Sequence, residues 1–521
     1  MPLPFLDLMY LILSRLLGLV IVYHTLVAIY NITLHPLAQV PGFKLAGMTR
    51  LYQTYWCYRN GRSLYYRKVQ EMHQEFGPIV RVNPNEVSVR DPRDFEKVYT
   101  VRSRYTKDPL FYRTMGVFKG MFGAVDNETH RRLRQPWIGY FSKASIVAFE
   151  ETIQEKVDLL CKKAEKELVE SGLIPIQGLL HALMIDVVSA FTLPECMNML
   201  AQRPYATKYA SNLLNQAGFI WIMMINDWTY HAVQAILAVY SRVFSSRSEF
   251  DKLLEKCTLI VDKYQDPAKP SQLSAKDKYG SFRRPLIESM LNRLSNGEAD
   301  AGIMKREVLI DELYSFNLAA AFNFGTGMSI TLYHILSNKT ILQKLRFELL
   351  GAFPDGDYRI THSVAGKLPY LTACIQEGNR LSYGPIGRLP RIVPEGGETF
   401  QGYHIPAGCT VGTWSYVQHH NPEIWGDDHD TFNPDRWLDP ERARFMTRHL
   451  LTFGKDHRHC IGKELASTTM YVCLANLIRR FPDLEVYGDY PADDLNDNFA
   501  TVIPREAERM MLRQAAPIFT T

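Results

Sequence analysis

The chain is 521 residues long, 46% hydrophobic and 22% charged, which is the make-up of a folded globular protein and excludes a disordered, fibrous or low-complexity one. A net charge of +4, with 59 basic residues spread along the chain and offset by 55 acidic ones, leaves no basic stripe for nucleic acid. The eight cysteines are scattered and none forms a Cys-x-x-Cys pair, which argues against a zinc ribbon, a thioredoxin-type site or a disulfide scaffold and for a body in a reducing compartment.

From Leu8 to Tyr30 the only strong charge is Arg15, and those 23 residues as a helix reach ~35 Å, enough to span a bilayer. A cleaved secretory signal fits less well: Asp7 is acidic, no Lys or Arg precedes Arg15, and the apolar run is too long. Lys44, Arg50, Arg59, Arg62, Arg67 and Lys68 follow the span, so the positive-inside tendency places the body in the cytosol. Residues 1–33 are read as a membrane anchor and 34–50, with His35-Pro36 and Pro41-Gly42, as a proline-containing hinge. Residues 51–521 contain no sharp linker and are read as one catalytic domain.

Beyond Tyr65 a helical stretch ends at Gly77-Pro78, and Ile79–Val82 with Glu86–Val89 predicts a β-hairpin. Pro109–Phe122 and Phe219–Met224 are apolar runs. Helical patterns dominate from Asn127 to Arg380; within them Lys305–Ser337 is proline-free and long enough to cross the body, at about 50 Å. Pro369 opens a further helix that carries Glu377 and Arg380 on one face. Short strand-like pieces follow at Arg391–Val393, Thr399–Ile405 and Thr410–Val411, and Ile461–Phe481 returns to helical spacing. The fold class is mainly α with a small β region.

The segment Phe453-Gly454-Lys455-Asp456-His457-Arg458-His459-Cys460-Ile461-Gly462 is the richest in chemistry. A thiolate ligand needs a depressed pKa, and a helix N-terminus, exposed backbone N–H groups and the nearby Arg458 would each supply part of it. Gly462 permits backbone to approach a flat cofactor closely. These features alone also describe an ordinary cysteine at a helix start.

The spacing of Phe453, Arg458, Cys460 and Gly462 resembles the haem-binding loop of the cytochrome P-450 superfamily, Phe-x-x-Gly-x-Arg-x-Cys-x-Gly, except that Asp456 stands at the first glycine. That glycine occupies a tight turn, and Asp is among the residues that tolerate left-handed geometry. Further segments match in order. Glu377 and Arg380, with Arg436 in Phe432-Asn433-Pro434-Asp435-Arg436-Trp437, resemble the family's buried structural network. His130 and Arg134 resemble its Trp-x-x-x-Arg propionate contact, with His130 where Trp is common. Either Arg388 or Arg391 is a second candidate propionate partner. Tyr140–Ile146 and Arg380–Gly384 narrow the likeness to fungal secondary-metabolism members of the trichodiene-oxygenase kind.

The resemblance implies a large helical domain, a small β-sheet domain and haem b held by Cys460 between two long helices. It implies a single-pass protein of the endoplasmic reticulum membrane, an NADPH-cytochrome P-450 reductase as electron donor, and an apolar substrate such as a terpenoid. In this family the residues Pro109–Phe122 cover the haem. The long helix departs from the family: Ala319-Ala320-Ala321-Phe322-Asn323 occupies the place of Ala-Gly-x-acid-Thr, so Phe322 replaces the acid and Asn323 the hydroxyl. A one-turn slip of register would bring Thr326 there instead. Four readings follow: an oxygen-dependent monooxygenase using Cys460 and Asn323; a haem-thiolate isomerase, dehydratase or peroxide-using enzyme, motivated by the missing pair; a membrane-tethered haem sensor or carrier without turnover; and a structural helical protein without haem.

Overall fold

The computed structural model describes residues 3–115, 119–206, 219–244, 249–265, 286–295, 297, 300, 302–354, 359–499, 501–504 and 510–515. Helix α1 (Leu3–Thr33) contains the apolar stretch Asp7–Thr33, long and apolar enough to cross a membrane and not covered by the body. The chain leaving it is fastened down. Arg81 donates from Nη1 to the Asn31 carbonyl at 2.7 Å, its own N–H reaches the Pro41 carbonyl at 2.7 Å, and Leu37 and Val40 are buried.

The predicted hairpin is present as β1 (Ile79–Asn83) and β2 (Glu86–Val89). It forms one side of a five-stranded sheet with β3 (Thr106–Lys107), β4 (Arg391–Ile392) and β7 (Thr410–Gly412), in the order β1-β2-β7-β4-β3. The predicted piece Thr399–Ile405 is instead a tight hairpin, β5 (Glu398–Phe400) and β6 (Tyr403–Ile405). Gln401 and Gly402 both take positive φ between its strands, the turn geometry that matches strand twist. The C-terminal strands β8 (Leu484–Tyr487), β9 (Leu495–Asp497), β10 (Val502–Pro504) and β11 (Met511–Gln514) were not foreseen. Pieces of three or four residues are too short for alternation to register.

Among the longer helices that build the body are α2 (Asn127–Ile138), α3 (Lys143–Ser171), α4 (Ile176–Thr192), α5 (Arg306–Ser337), α6 (Lys339–Ala352), α7 (Pro369–Ser382) and α8 (Lys463–Arg480). Their starts follow from side-chain caps: Asp126 accepts from Thr129 N–H, Ser142 from Ser145 N–H and Asn338 from Thr340 and Ile341 N–H. Helix α5 runs through the centre, with Leu309, Leu313, Met328, Ile330, Leu332 and Ile335 all buried. Two close helix crossings require glycine. A Cβ on Gly325 would lie 1.9 Å from the His181 ring of α4, and one on Gly378 of α7 would lie 2.0 Å from Thr331 Oγ1 of α5.

One charge network locks α7 to the segment before the cysteine loop. Glu377 is fully buried and accepts from Arg380 at 2.7 and 3.0 Å, Arg436 at 3.1 Å, Trp437 Nε1 at 2.8 Å and Asn433 N–H at 2.9 Å. Burial alone would favour the neutral acid, but Arg380 and Arg436 hold its carboxyl below the usual range. Arg380 spends its remaining donors on the carbonyls of His419, His429 and Thr431. With every lone pair and N–H used, removing one partner strands a buried charge at about 3–5 kcal/mol.

Candidate active site around Cys460

A cavity of about 1390 Å³ lies between α5 and the loop that leads into α8. The candidate haem-site residues line it: Cys460, Phe453, Arg458 and Gly462 from the loop, His130 and Arg134 from α2, Arg388 and Arg391 from the segment that enters β4, and Asn323 from α5.

The loop owes its shape to two left-handed residues, Gly454 at φ 68° and Asp456 at φ 63°. Asp therefore takes the turn geometry the pattern's glycine would take. Cys460 N–H donates to the Phe453 carbonyl at 2.7 Å, closing the loop on itself. Cys460 is exposed only toward the cavity, and a Cβ on Gly462 would lie 3.9 Å from its Sγ. The depressed thiol expected from the sequence is not what the surroundings produce. Burial raises the Cys460 thiol, and the Gly462 N–H, Arg134 and Lys463 only partly oppose it. Arg458 plays no part, because its guanidinium turns away to the carbonyls of Ala124 and Val125, both at 2.7 Å, and to Asn127 Oδ1. A thiol in this setting becomes a thiolate when a metal ion takes its proton's place.

The cavity's edge is cationic. Arg134 donates to the His459 carbonyl at 2.9 Å, the residue before Cys460. Arg391 bonds Tyr112 Oη at 3.1 Å and Asp456 Oδ2 at 3.2 Å, so of the two candidate arginines it is the one that reaches the cysteine loop. Arg388 instead pairs with Glu86 of β2 at 2.5 Å and lies between the rings of Phe111 and Trp414. His130 is buried with Nδ1 unpartnered, and burial, then Arg458 and Lys107, push its pKa down to about 2, so the ring is neutral. Sequence reasoning missed Lys107, which is buried on the cavity opposite Arg391 in the β3–β4 register. It missed Asn127 too, whose Nδ2 holds the Ser103 carbonyl while Oδ1 takes Arg458. Neither stands in a recognisable motif; only the strand pairing and the helix start bring them in.

The second half of α5 presents a mostly apolar roof with Asn323 as a polar point in it. Ala319, Ala320, Asn323 and Phe324 of α5 face the cavity, and Asn323 Oδ1 has no partner. Thr326 is 1% exposed and does not line the cavity, whereas Asn323 does. The Phe322 side chain lies outside the described residues. Glu312, also unforeseen, faces the cavity from the first half of α5; burial pushes its carboxyl up to about 8. Of the two apolar runs, Phe111, Met121, Phe122, Phe219, Ile220 and Met223 line the cavity, while Trp221 and Met224 belong to the core. Val117 and Phe118 lie outside the described residues.

These residues fit a flat, dianionic, iron-bearing ring. A sulfur stands on one side, cations and an unpaired His130 nitrogen on the edge, and apolar walls around the rest. The volume exceeds the roughly 300–1,000 Å³ of a single-ligand pocket, leaving room for a second molecule.

Comparison with known proteins agrees. The family model described as cytochrome P450 matches residues 52–507. A cytochrome P450 monooxygenase of Alternaria solani is 30% identical, the alignment covering 86% of this chain and 94% of that protein. Cytochrome P450 monooxygenase TRI4 of Trichoderma arundinaceum is 29% identical, covering 89% and 87%. A crystal structure of a cytochrome P450 superposes with a TM-score of 0.67 at 17% identity, over 86% of this chain and 93% of that one.

Proposed function

Because the chain belongs to the cytochrome P450 family and its relatives are fungal monooxygenases, we propose that Cys460 would hold the iron of a haem b as its thiolate ligand, and that this haem would supply oxygen insertion into an apolar small molecule. The observation that carries the reading is the placement of Cys460 on one side of a cavity whose opposite wall is α5 and whose edge holds Lys107, Arg134 and Arg391. Phe453 and Gly462 would pack the sulfur side, Arg458 braces the loop, and Arg134, Arg391 and His130 would hold the acidic edge of the haem, with Arg388 further out beside Glu86. Bound there, a thiolate-ligated haem supplies the activation of dioxygen.

The protein's own residues do the rest. Phe111, Met121, Phe122 and Ile220 exclude water and hold an apolar substrate against the reacting centre. Asn323, a polar group of the α5 wall, would hold a water for proton delivery. The chain has no Gly-rich nucleotide loop, so electrons come from an NADPH-cytochrome P-450 reductase. Helix α1 anchors the protein in the endoplasmic reticulum membrane, with residues 34–50 as the exit and 51–521 as a cytosolic catalytic domain. A fungal secondary metabolite such as a terpenoid is the substrate class the subgroup likeness supports.

The test is spectral and then kinetic. Wild-type protein, reduced under carbon monoxide, should give the thiolate-type Soret band, and Cys460→Ser should lose it. With reductase, NADPH and oxygen, product should appear only when all three are present. A Cys460→Ser protein that keeps the band sinks the ligand assignment. Turnover without NADPH would favour an isomerase, dehydratase or peroxide-using enzyme, the reading that Asn323 in place of the acid–alcohol pair keeps open.

A further inference from the structure

We propose that Asp456 is a built-in counter-ion of the haem edge, a carboxylate of the protein that holds Arg391 and biases the iron toward its ferric state. This rests on the haem reading above and adds a residue to it.

Asp456 stands where the loop pattern has glycine, and a residue chosen only to tolerate φ 63° would leave its side chain in solvent. The structure does the opposite. The Asp456 carboxyl is 1% exposed, Oδ2 lies 3.2 Å from Arg391 Nη2, and Oδ1 accepts the Arg458 N–H at 2.5 Å. A buried, paired carboxylate is an electrostatic element and not merely a turn former.

The cations explain why it is there. Lys107 and Arg391 are register partners on β3 and β4, and both are buried. Like charges directly opposite on paired strands repel. Arg458 adds a third: burial and then Arg458 and Arg391 drive the Lys107 ammonium well below its ordinary range, while Asp456 acts the other way. The Asp456 charge works in the same direction on Arg134, Arg391 and Arg458. Among the described residues around this cluster, Asp456 is the anion in contact with Arg391. It leaves the propionates a cluster already part-neutralised and an Arg391 already aimed.

Once haem is bound, the Asp456 charge remains beside it as one carboxylate more than the two propionates. Reduction of ferric to ferrous iron takes up one electron and lowers the positive charge at the ring, so a nearby fixed anion favours the ferric form and lowers the midpoint potential. Removing it should raise the potential, and freeing Arg391 to turn fully to a propionate should act in the same sense.

The experiment is a spectroelectrochemical titration of full-length protein, at equal haem content, for wild type, Asp456→Asn, Asp456→Gly and Asp456→Glu. Asn keeps a side chain that tolerates left-handed backbone without the charge, and Gly relaxes the turn completely. Both should shift the midpoint positive, and Glu should shift it less than either. A turn-forming role alone predicts no such shift in Asn or Gly; wild-type potentials in those two variants, with normal carbon-monoxide spectra, overturn the proposal. If Asn fails to hold haem, Gly alone decides the outcome. Wild-type protein without any Soret band would overturn this proposal and the haem reading together.

Discussion

Asn323 and Thr326 stand three residues apart on α5 and meet different surroundings. Asn323 faces the cavity with an unpartnered Oδ1, while Thr326 is packed away from it. An amide can orient a water but is far too weak an acid to hand over its own proton readily. Asn323→Ala should therefore keep folding, haem content and substrate binding but give several-fold less product per NADPH, with the electrons appearing as peroxide; Asn323→Thr should recover part of the coupling. Unchanged coupling in the alanine variant removes Asn323 from proton delivery. At this scale the sequence was most legible where a residue type is rare in its setting. Cys460, Arg458 and Gly462 were identifiable from spacing, and Asp456 from its departure. The direction of each side chain was not legible. Arg458 was expected near the sulfur and points at carbonyls, because backbone acceptors from Ala124 and Val125 arrive there from a segment over 300 residues away.

Between elements, Asp311 and Glu312 clamp α5 onto the turn before α2. Asp311 Oδ2 accepts Lys119 N–H at 2.7 Å and Glu312 Oε1 accepts Met121 N–H at 2.6 Å. Glu312 titrates near 4.5 when unfolded and at about 8 when folded, because burial, with Asp311 beside it, disfavours the charge more than Met121 N–H, Lys107 and Arg134 favour it. The folded protein thus retains a proton that the unfolded chain releases. Its contribution to stability is complete below about 4.5, declines as pH rises toward about 8, and changes no further above that. Glu312→Gln keeps the acceptor for Met121, so thermal melts of this variant across pH 5–9 should lose that part of the decline. A variant whose melting curve falls with pH as steeply as wild type would place the charge elsewhere. Helices of this kind were readable from the sequence because period and caps repeat over many residues. The strands β8 to β11 were not: β9 and β10 are three-residue pieces too short for alternation to register, and β8 and β11 are placed by partners more distant in sequence, with Leu512 of β11 exchanging backbone bonds with Ile174.

For the whole molecule, the separation between α1 and the body is sharp in chemistry, if not in structure. The apolar helix is bare, whereas Asn31 at its end is buried and bonds the Met48 carbonyl at 3.0 Å. Deleting residues 1–30, which spares Asn31, should shift most of the protein from the membrane pellet to the soluble fraction with its haem spectrum intact. Continued sedimentation with membranes would mean that another surface holds it there. The exit segment carries a further consequence. Arg81 grips both the last turn of α1 and Pro41, so the helix and the sheet turn together. A loose tether would let the body tumble above a bilayer and sample every attitude. Were α1 seated in a bilayer, a joint fastened in this way would restrict the body to a few attitudes.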